Sequence, residues 1–152
     1  MAQKFVVVAA NLIEKDDKYL LIQEGKEHVK GEWNLPAGSL EIGETPVEGA
    51  KREAKEETGL TVEPESLVKT YIPPESEDPN NIVNFVYHSQ IQSGEVSIRE
   101  EDTVIDYGWF TEQEIEDLDL RASYILAAIQ DYKNGENYSK DSVRMIKEDL
   151  RT

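Results

Sequence analysis

The stretch GSLEIGETPVEGAKREAKEETGL, residues 38–60, concentrates negative charge in a segment that also carries strong helix signals. It contains six glutamates but only one arginine and two lysines. Glu53, Glu56 and Glu57 are spaced i, i+3, i+4, so a helix would place their side chains on one face. Each like-charge pair at that spacing costs roughly 0.2–0.5 kcal/mol on an exposed helix. Helix propensity alone therefore does not explain the arrangement.

The helix signals indicate where this segment begins and ends. Thr45 is a good N-cap, Pro46 occupies the first helical position, and Glu48 lies three residues after Thr45, as in a capping box. Gly59 is a typical C-terminal stop. We therefore predict a helix over residues 46–58.

Two interpretations of the acidic face are open on these residues alone. In the first, the face is a solvated surface whose charge is balanced by Lys51, Arg52 and Lys55. In the second, the face is a site for a hard cation. Mg²⁺ and Mn²⁺ prefer carboxylate oxygens, and they bind more firmly when a substrate phosphate completes their coordination.

The residues around the acidic face favour the second interpretation, because they resemble the Nudix box. The positions that match at fixed spacing are Gly38, Glu44, Arg52, Glu53, Ala54, Glu56, Glu57, Gly59 and Leu60. The WNLPAG segment before the box and the WF strand end after it agree with the same family over roughly residues 4–133. The chain is therefore similar to the Nudix hydrolases, and we expect one such domain over residues 1–152.

The resemblance implies both a fold and an activity. The fold class is α/β (α+β), a Nudix-type α-β-α sandwich with a mixed, curved sheet and the box in a loop–helix–loop. The activity is Mg²⁺- or Mn²⁺-dependent hydrolysis of a phosphoanhydride bond in a small-molecule nucleotide or related pyrophosphate. The ion would polarise a phosphoryl oxygen and lower the pKa of a bound water.

The resemblance also implies a role for each box residue. Glu56 and Glu57 match the main metal ligands, and Glu53 matches a further ligand or, in some members, the general base. The backbone carbonyl of Gly38 matches one that often joins the metal shell. Arg52 matches a residue that orients a box glutamate through a salt bridge.

Two further roles lie outside the helix. Glu44 matches a position that supports the loop rather than the metal. In some members the general base precedes the last strand, where this chain has Glu100 and Glu101. For each of these two residues, an acidic turn without a catalytic role is the alternative.

Four residues are candidates for substrate binding. In the small bacterial Nudix branch that acts on nucleoside tri- and diphosphates and thiamine-type pyrophosphates, an LR element lies near the substrate. This chain has LR at the matching place, so Arg121 is a candidate phosphate contact. Trp33, Tyr71 and Tyr87 are candidates for stacking on a base, with core packing as the alternative for each ring.

Other functions compete with this interpretation. The Pro73-Pro74 pair downstream of the box resembles a feature of the ADP-ribose and nucleotide-sugar pyrophosphatase branch. A non-catalytic domain that senses a nucleotide is a hypothesis of a different class, but such domains usually lack box glutamates, and here the box is complete. A calcium-binding or purely structural acidic protein is a further hypothesis. The chain has no Asp-x-Asp-x-Asp-Gly loop, which argues against an EF-hand.

Composition limits the remaining classes. The formal net charge of −16 argues against nucleic-acid binding through a basic surface, and an anionic substrate would need a cation to approach. There is no cysteine, which excludes disulfides and thiolate metal sites. No apolar run approaches the ~20 residues that span a bilayer. We expect a cytoplasmic protein without membrane contact, as a monomer or a homodimer.

The remaining elements follow from hydrophobic alternation and capping signals. Strands are predicted at KFVVVAANLI and YLLIQEG, joined as a hairpin through EKDDK, and at LVKTYI, IVNFVYHSQI and TVIDYGWF. Thr111 opens a short capped helix, and an amphipathic helix is predicted over about residues 121–133. The tail DSVRMIKEDLRT forms one more helix or frays.

Overall fold

The computed structural model describes residues 4–74, 81–98, 103–146 and 151. Within these residues the chain forms nine β-strands and three α-helices. The elements in chain order are β1 (Val6–Leu12), β2 (Glu14–Lys15), β3 (Lys18–Glu24), β4 (Trp33–Asn34), β5 (Ala37–Ser39), α1 (Pro46–Thr58), β6 (Thr61–Tyr71), β7 (Ile82–Ser93), β8 (Val104–Phe110), α2 (Glu112–Glu116), α3 (Tyr124–Lys133) and β9 (Tyr138–Ser139). Short 3-10 turns cover Glu27–Val29 and Lys140–Ser142.

The strands form two sheets. The larger sheet has the order β5-β1-β7-β6-β9, in which β1 and β7 run parallel and the other neighbours run antiparallel. In the smaller sheet, β3 pairs antiparallel with β2, β4 and β8. The predicted α+β class with a mixed sheet is confirmed.

Helices cover both faces of the larger sheet. Successive residues along a strand point to opposite faces. Ala9 and Tyr87 therefore pack on one face with Ala50 of α1, whereas Ala10 and Val86 pack on the other face with α3. This arrangement is the predicted α-β-α sandwich, and it places the acidic helix directly against the sheet.

Helix α1 begins and ends where its capping residues predict. The Thr45 hydroxyl accepts a hydrogen bond from the Glu48 N–H at 3.1 Å and donates to the Glu48 carboxylate at 3.0 Å. At the other end, Gly59 has a φ of 79° and donates its N–H to the Lys55 carbonyl. The longest helix, α1, has 13 residues. Among the described residues, no helix is long and apolar enough to cross a membrane.

The predicted hairpin is only partly correct. Strand β1 pairs with β5 and β7 in the larger sheet and does not pair with β3. The chain leaves this sheet at Ile13, and only the two residues of β2 pair with β3. Asp16 and Asp17 form the turn with φ values of 54° and 62°. Two successive positive φ values suit the twist of a two-residue hairpin.

Helix α3 begins three residues later than predicted. The Trp33 N–H donates to the Asp119 carbonyl at 2.8 Å, and the Arg121 N–H donates to the Trp33 carbonyl at 2.8 Å. Residues 119–121 thus bond to the edge of β4, and this pairing excludes them from the helix. In the tail, predicted to form a helix or to fray, a 3-10 turn covers Lys140–Ser142 and residues 143–146 form no helix, and residues 147–150 and 152 lie outside the described part.

Candidate active site

Arg52 links the acidic helix to the loop before it. Its guanidinium donates two hydrogen bonds to Glu44, at 2.7 and 2.9 Å, in the paired geometry that suits a carboxylate. It also donates to Glu53 at 2.8 Å, to Glu56 at 3.2 Å and to the Ser39 carbonyl at 3.0 Å. The hydrogen bond from Arg52 holds the pKa of Glu44 below its usual value. Glu41, also in the loop, lies 3.8 Å from the guanidinium, so two loop carboxylates and two helix carboxylates share a single cation.

The other two cations of the helix bond elsewhere. Lys51 pairs with Glu63 on β6 at 3.3 Å, and Lys55 donates to the Gly59 carbonyl at 3.2 Å. Neither contact reaches the acidic face. Of the three basic residues considered as partners for that face, only Arg52 takes this role.

Glu57 occupies the buried side of the acidic face. It is 6% exposed, and its carboxylate accepts a hydrogen bond from the Ala37 N–H of β5 at 2.8 Å. Burial raises the pKa of Glu57 well above its usual value, and the charge of Glu53 raises it further. Burial also raises the pKa of Glu53, although the hydrogen bond from Arg52 opposes this shift. Two neighbouring carboxylates thus lie where negative charge is unfavourable, and a bound cation would relieve the repulsion.

Gly38 packs directly against this carboxylate pair. A Cβ atom added to Gly38 would overlap the carboxylate of Glu53. The absence of a side chain therefore allows the backbone of β5 to approach the helix closely. The same approach positions the Ala37 N–H to bond Glu57.

A cavity of about 320 Å³ opens beside Gly38. Three of its lining residues have basic side chains: Lys26, His28 and Arg121. The charge of Lys26 acts on both Glu53 and Glu57. The remaining lining residues are Val6, Val8, Glu24, Val29, Asn34, Ala37, Gly38, Ser39, Pro73, Ile82, Asn84, Ala122 and Tyr124. In a chain with a net charge of −16, this cavity brings together two cations, Lys26 and Arg121.

A buried polar chain in the cavity wall was not predicted from the sequence. Glu24 is 7% exposed and accepts a hydrogen bond from the Asn34 amide at 3.4 Å. The Asn34 side-chain oxygen accepts from the Tyr124 hydroxyl at 2.7 Å. The sequence signal was a glutamate at the end of a strand whose central residues, 19–22, are YLLI. The charge of Glu24 also raises the pKa of Glu57, which places it near the acidic face.

The predicted substrate residues lie in different surroundings. Arg121 lines the cavity. Trp33 packs edge-on against Phe110, with ring centroids 5.0 Å apart, and the Tyr71 hydroxyl donates to Asp131 at 2.7 Å. Neither ring is among the cavity-lining residues.

The prediction for Tyr87 is wrong. Its side chain is fully buried in the cluster around Ala9, Ala50 and Leu67 on the α1 face, so no ring face is open to a base. The base candidates Glu100 and Glu101 lie outside the described residues.

The donor set fits a hard divalent cation, with one condition. Carboxylates and a nearby backbone are the oxygen ligands that Mg²⁺ and Mn²⁺ prefer. In the described part of the chain, however, no three acidic side chains converge on one point. Arg52 holds Glu53 and Glu56, and the Ala37 N–H holds Glu57. Metal binding therefore requires these carboxylates to turn toward a shared ion.

Comparison with known proteins agrees with this geometry. The family model described as NUDIX domain matches residues 3–129. The 8-oxo-dGDP phosphatase NUDT18 of Homo sapiens is 53% identical over 62 residues, which are 41% of this chain and 19% of that protein. Phosphatase NudJ of Escherichia coli strain K12 is 29% identical over 141 residues, which are 90% of this chain and 89% of that protein. This chain thus spans about a fifth of the human relative and most of the bacterial one.

A solved structure extends the likeness to nearly the whole fold. A NUDIX hydrolase from Nitrosomonas europaea superimposes with a TM-score of 0.86 at 30% sequence identity, over 94% of this chain and 98% of that one. The family model, the complete box at residues 38–60 and the shared fold lead to one conclusion: the chain belongs to the NUDIX family.

Proposed function

We propose that this chain is a Mg²⁺- or Mn²⁺-dependent hydrolase that cleaves the phosphoanhydride bond of nucleoside di- or triphosphates, or of related organic pyrophosphates. The observation that carries the proposal is that Gly38, which packs against the Glu53 carboxylate, lines a cavity together with Lys26, whose charge acts on Glu53 and Glu57. The names of the two relatives, an 8-oxo-dGDP phosphatase and a phosphatase, support the same reaction class.

The cavity wall explains how an acidic protein would accept an anionic substrate. Lys26, His28 and Arg121 line the space beside the box. Positive charge in a confined cleft raises the local concentration of anions. A phosphate chain in this space would lie between these side chains and the acidic helix.

The box residues divide between holding an ion and positioning its ligands. A divalent ion bound here would polarise a phosphoryl oxygen and lower the pKa of the attacking water. Glu53, Glu56 and Glu57 would hold it. Arg52 and Glu44 act as positioning residues, because their paired hydrogen bonds fix the loop to the helix. The general base stays a prediction, at Glu53 or in the segment with Glu100 and Glu101.

The two alternatives are tested by the same substrates. Pro73, part of the segment that resembles the ADP-ribose and nucleotide-sugar branch, lines the cavity. That position favours keeping ADP-ribose in any substrate panel. A non-catalytic sensor would bind a nucleotide in the same cavity without hydrolysing it.

The direct test is hydrolysis of a small panel: dATP, CTP, 8-oxo-dGDP, ADP-ribose and thiamine diphosphate. Release of phosphate, pyrophosphate or monophosphate products is measured with Mg²⁺ and with EDTA. We expect turnover of at least one substrate with Mg²⁺, and a loss of about 10²–10³-fold in kcat for Glu57→Gln. The matched control is Glu65→Gln, an exposed carboxylate on β6 whose charge acts on His88 and Tyr132 instead of on the box.

The outcomes separate the hypotheses. Hydrolysis that continues in EDTA, or that is unchanged by Glu57→Gln, contradicts the proposed mechanism. Nucleotide binding without hydrolysis supports the sensor. A loss of activity in Glu65→Gln equal to that in Glu57→Gln would show a general effect of charge, and the box would have no special role.

A further inference from the structure

The cavity contains a buried amide that no part of the metal chemistry uses. Asn84 of β7 is 3% exposed, and it lines the cavity. No hydrogen bond joins its side chain to another described residue, and among these residues the Tyr87 hydroxyl is the enclosed side-chain polar atom that lacks a partner, so the Asn84 amide opens onto the cavity. Native structures satisfy most polar groups in such nearly buried places, with protein, ordered water or a ligand. An unpaired amide that faces a cavity is therefore a candidate ligand contact.

A neighbouring asparagine shows what a structural amide looks like in this fold. Asn11 of β1 is fully buried, and its amide donates to the Pro36 carbonyl at 3.1 Å and the Ala50 carbonyl at 2.9 Å. Its side-chain oxygen accepts from the Ser89 hydroxyl at 2.8 Å. Asn11 holds strands and helix together. Asn84 makes no comparable contacts with the described residues.

The sheet register places Asn84 at a fixed distance from the box. Ser39, Val8, Asn84 and Tyr71 are paired in one row across β5, β1, β7 and β6. Residues paired across neighbouring strands point to the same face. Strands are about 4.8 Å apart, so Asn84 lies about 10 Å along this row from Ser39. Ser39 follows Gly38 in the chain, so the row begins beside the backbone of the box and lies on the face of the sheet opposite α1.

The wall around Asn84 is apolar, in contrast to the basic part of the cavity. Val8 is the partner of Asn84 on β1, and Val6 and Ile82 form the next pair along the same two strands. All four residues line the cavity. Lys26, by contrast, lies near enough to the box for its charge to act on Glu53. A ligand that fills both the basic and the apolar part of the cavity has an anionic group at one end. Its other end has a flat apolar face and an edge that can form hydrogen bonds.

We propose that Asn84 recognises the nucleobase of the substrate. The base would lie on the apolar wall of Val6, Val8 and Ile82, with its edge toward the Asn84 amide. An amide offers one acceptor and two donors, so it can pair with a base edge that carries an acceptor and a donor side by side. This inference rests on the proposed function, and it narrows the substrate class to nucleotides over base-free pyrophosphates.

The test compares Asn84→Leu with the wild type on two kinds of substrate. One is the nucleoside diphosphate that the wild type hydrolyses best among the ADP, GDP, CDP and UDP series. The other is methyl diphosphate, which has no base. We expect Asn84→Leu to raise the KM for the nucleoside diphosphate about 10- to 100-fold, because two hydrogen bonds are lost. The KM for methyl diphosphate and the kcat stay unchanged.

Two controls separate base recognition from a structural role. Gln90→Leu changes an exposed amide on the same strand, and we expect no change in either KM. Thermal unfolding of Asn84→Leu should show a Tm no lower than that of the wild type, because the lost amide has no protein partner. Asn84→Ser serves as a second variant if the leucine variant does not fold.

The inference is overturned if the two substrates are affected equally, if the KM for the nucleoside diphosphate does not change, or if both variants unfold. A wild type that hydrolyses neither these diphosphates nor any substrate of the panel above overturns the proposed function instead. In that case the affinities of the four α,β-methylene nucleoside diphosphates, measured by calorimetry, decide the inference. Binding at least tenfold weaker in Asn84→Leu supports base recognition, and equal binding excludes it.

Discussion

Replacing Arg52 with methionine removes the cation that hydrogen-bonds to Glu44, Glu53 and Glu56. Glu44 and Glu53 have side chains only 12% and 13% exposed, and Arg52 itself is 23% exposed. Breaking a buried ion pair typically costs 3–5 kcal/mol, because a charge is left without its partner. Since Arg52 is partly exposed, we expect the free energy of unfolding to fall by about 3 kcal/mol. For a chain of this size the Tm would fall by about 6–12 °C.

The assay is urea unfolding of Arg52→Met and the wild type in EDTA and in Mg²⁺. An ion on the helix takes over part of the charge balance that Arg52 supplies. Mg²⁺ should therefore raise the free energy of unfolding of Arg52→Met more than it raises that of the wild type. The matched control is Lys51→Met on the same helix, whose partner Glu63 is 3.3 Å away and whose side chain is 44% exposed. An exposed pair of this kind contributes at most about 1 kcal/mol.

The reasoning is refuted by either of two results. One is a loss of stability in Arg52→Met as small as that in Lys51→Met. The other is an equal effect of Mg²⁺ on Arg52→Met and on the wild type, which would show that the ion and Arg52 do not act on the same carboxylates.

Three further predictions follow from individual contacts. Burial raises the pKa of Glu57 above 4.5, so the wild type loses stability as the pH rises from that value, and Glu57→Gln loses less because only the raised pKa of Glu53 still contributes. In EDTA, urea unfolding should show Glu57→Gln to be more stable than the wild type at pH 7, and the difference in stability should shrink toward pH 4.5. Equal stability of the two proteins at pH 7 would contradict the argument from burial. Gly38→Ala places a Cβ where the Glu53 carboxylate lies, so Mn²⁺ affinity measured by electron paramagnetic resonance should fall at least about tenfold. Unchanged affinity would show that Gly38 does not affect the metal site. Tyr87→Phe removes a buried hydroxyl that has no partner among the described residues, so urea unfolding should show a free energy of unfolding about 1 kcal/mol higher, with kcat/KM unchanged. A fall in the free energy of unfolding or in kcat/KM would indicate that the hydroxyl has a role.

The sequence predicted those parts of the fold that depend on local chemistry. The bounds of α1 follow from Thr45, Pro46 and Gly59, which act within one turn of the helix ends. The capping box of α2 is equally local, because Thr111 and Glu114 exchange hydrogen bonds over three residues. Signals of this kind need no knowledge of the rest of the chain.

Features that depend on distant strands were not predictable in the same way. The start of α3 is set by the backbone of Trp33, about 90 residues earlier in the chain. Tyr87 and Asn84 lie on one alternating strand, and its pattern does not reveal which face borders α1 and which borders the cavity. Because helices cover both faces of the sheet, burial alternates less clearly than in a strand with one wet face. The polar chain through Glu24 likewise exists only after β3, β4 and α3 meet.

The most direct test of the account is Mn²⁺ binding, measured by electron paramagnetic resonance with and without α,β-methylene-ADP. The account predicts that the wild type and Glu65→Gln bind Mn²⁺ alike, that the nucleotide analogue strengthens binding, and that Glu57→Gln weakens it at least about tenfold. Mn²⁺ that remains free in the presence of the wild type and the analogue, or that binds Glu57→Gln as tightly as the wild type, would contradict it.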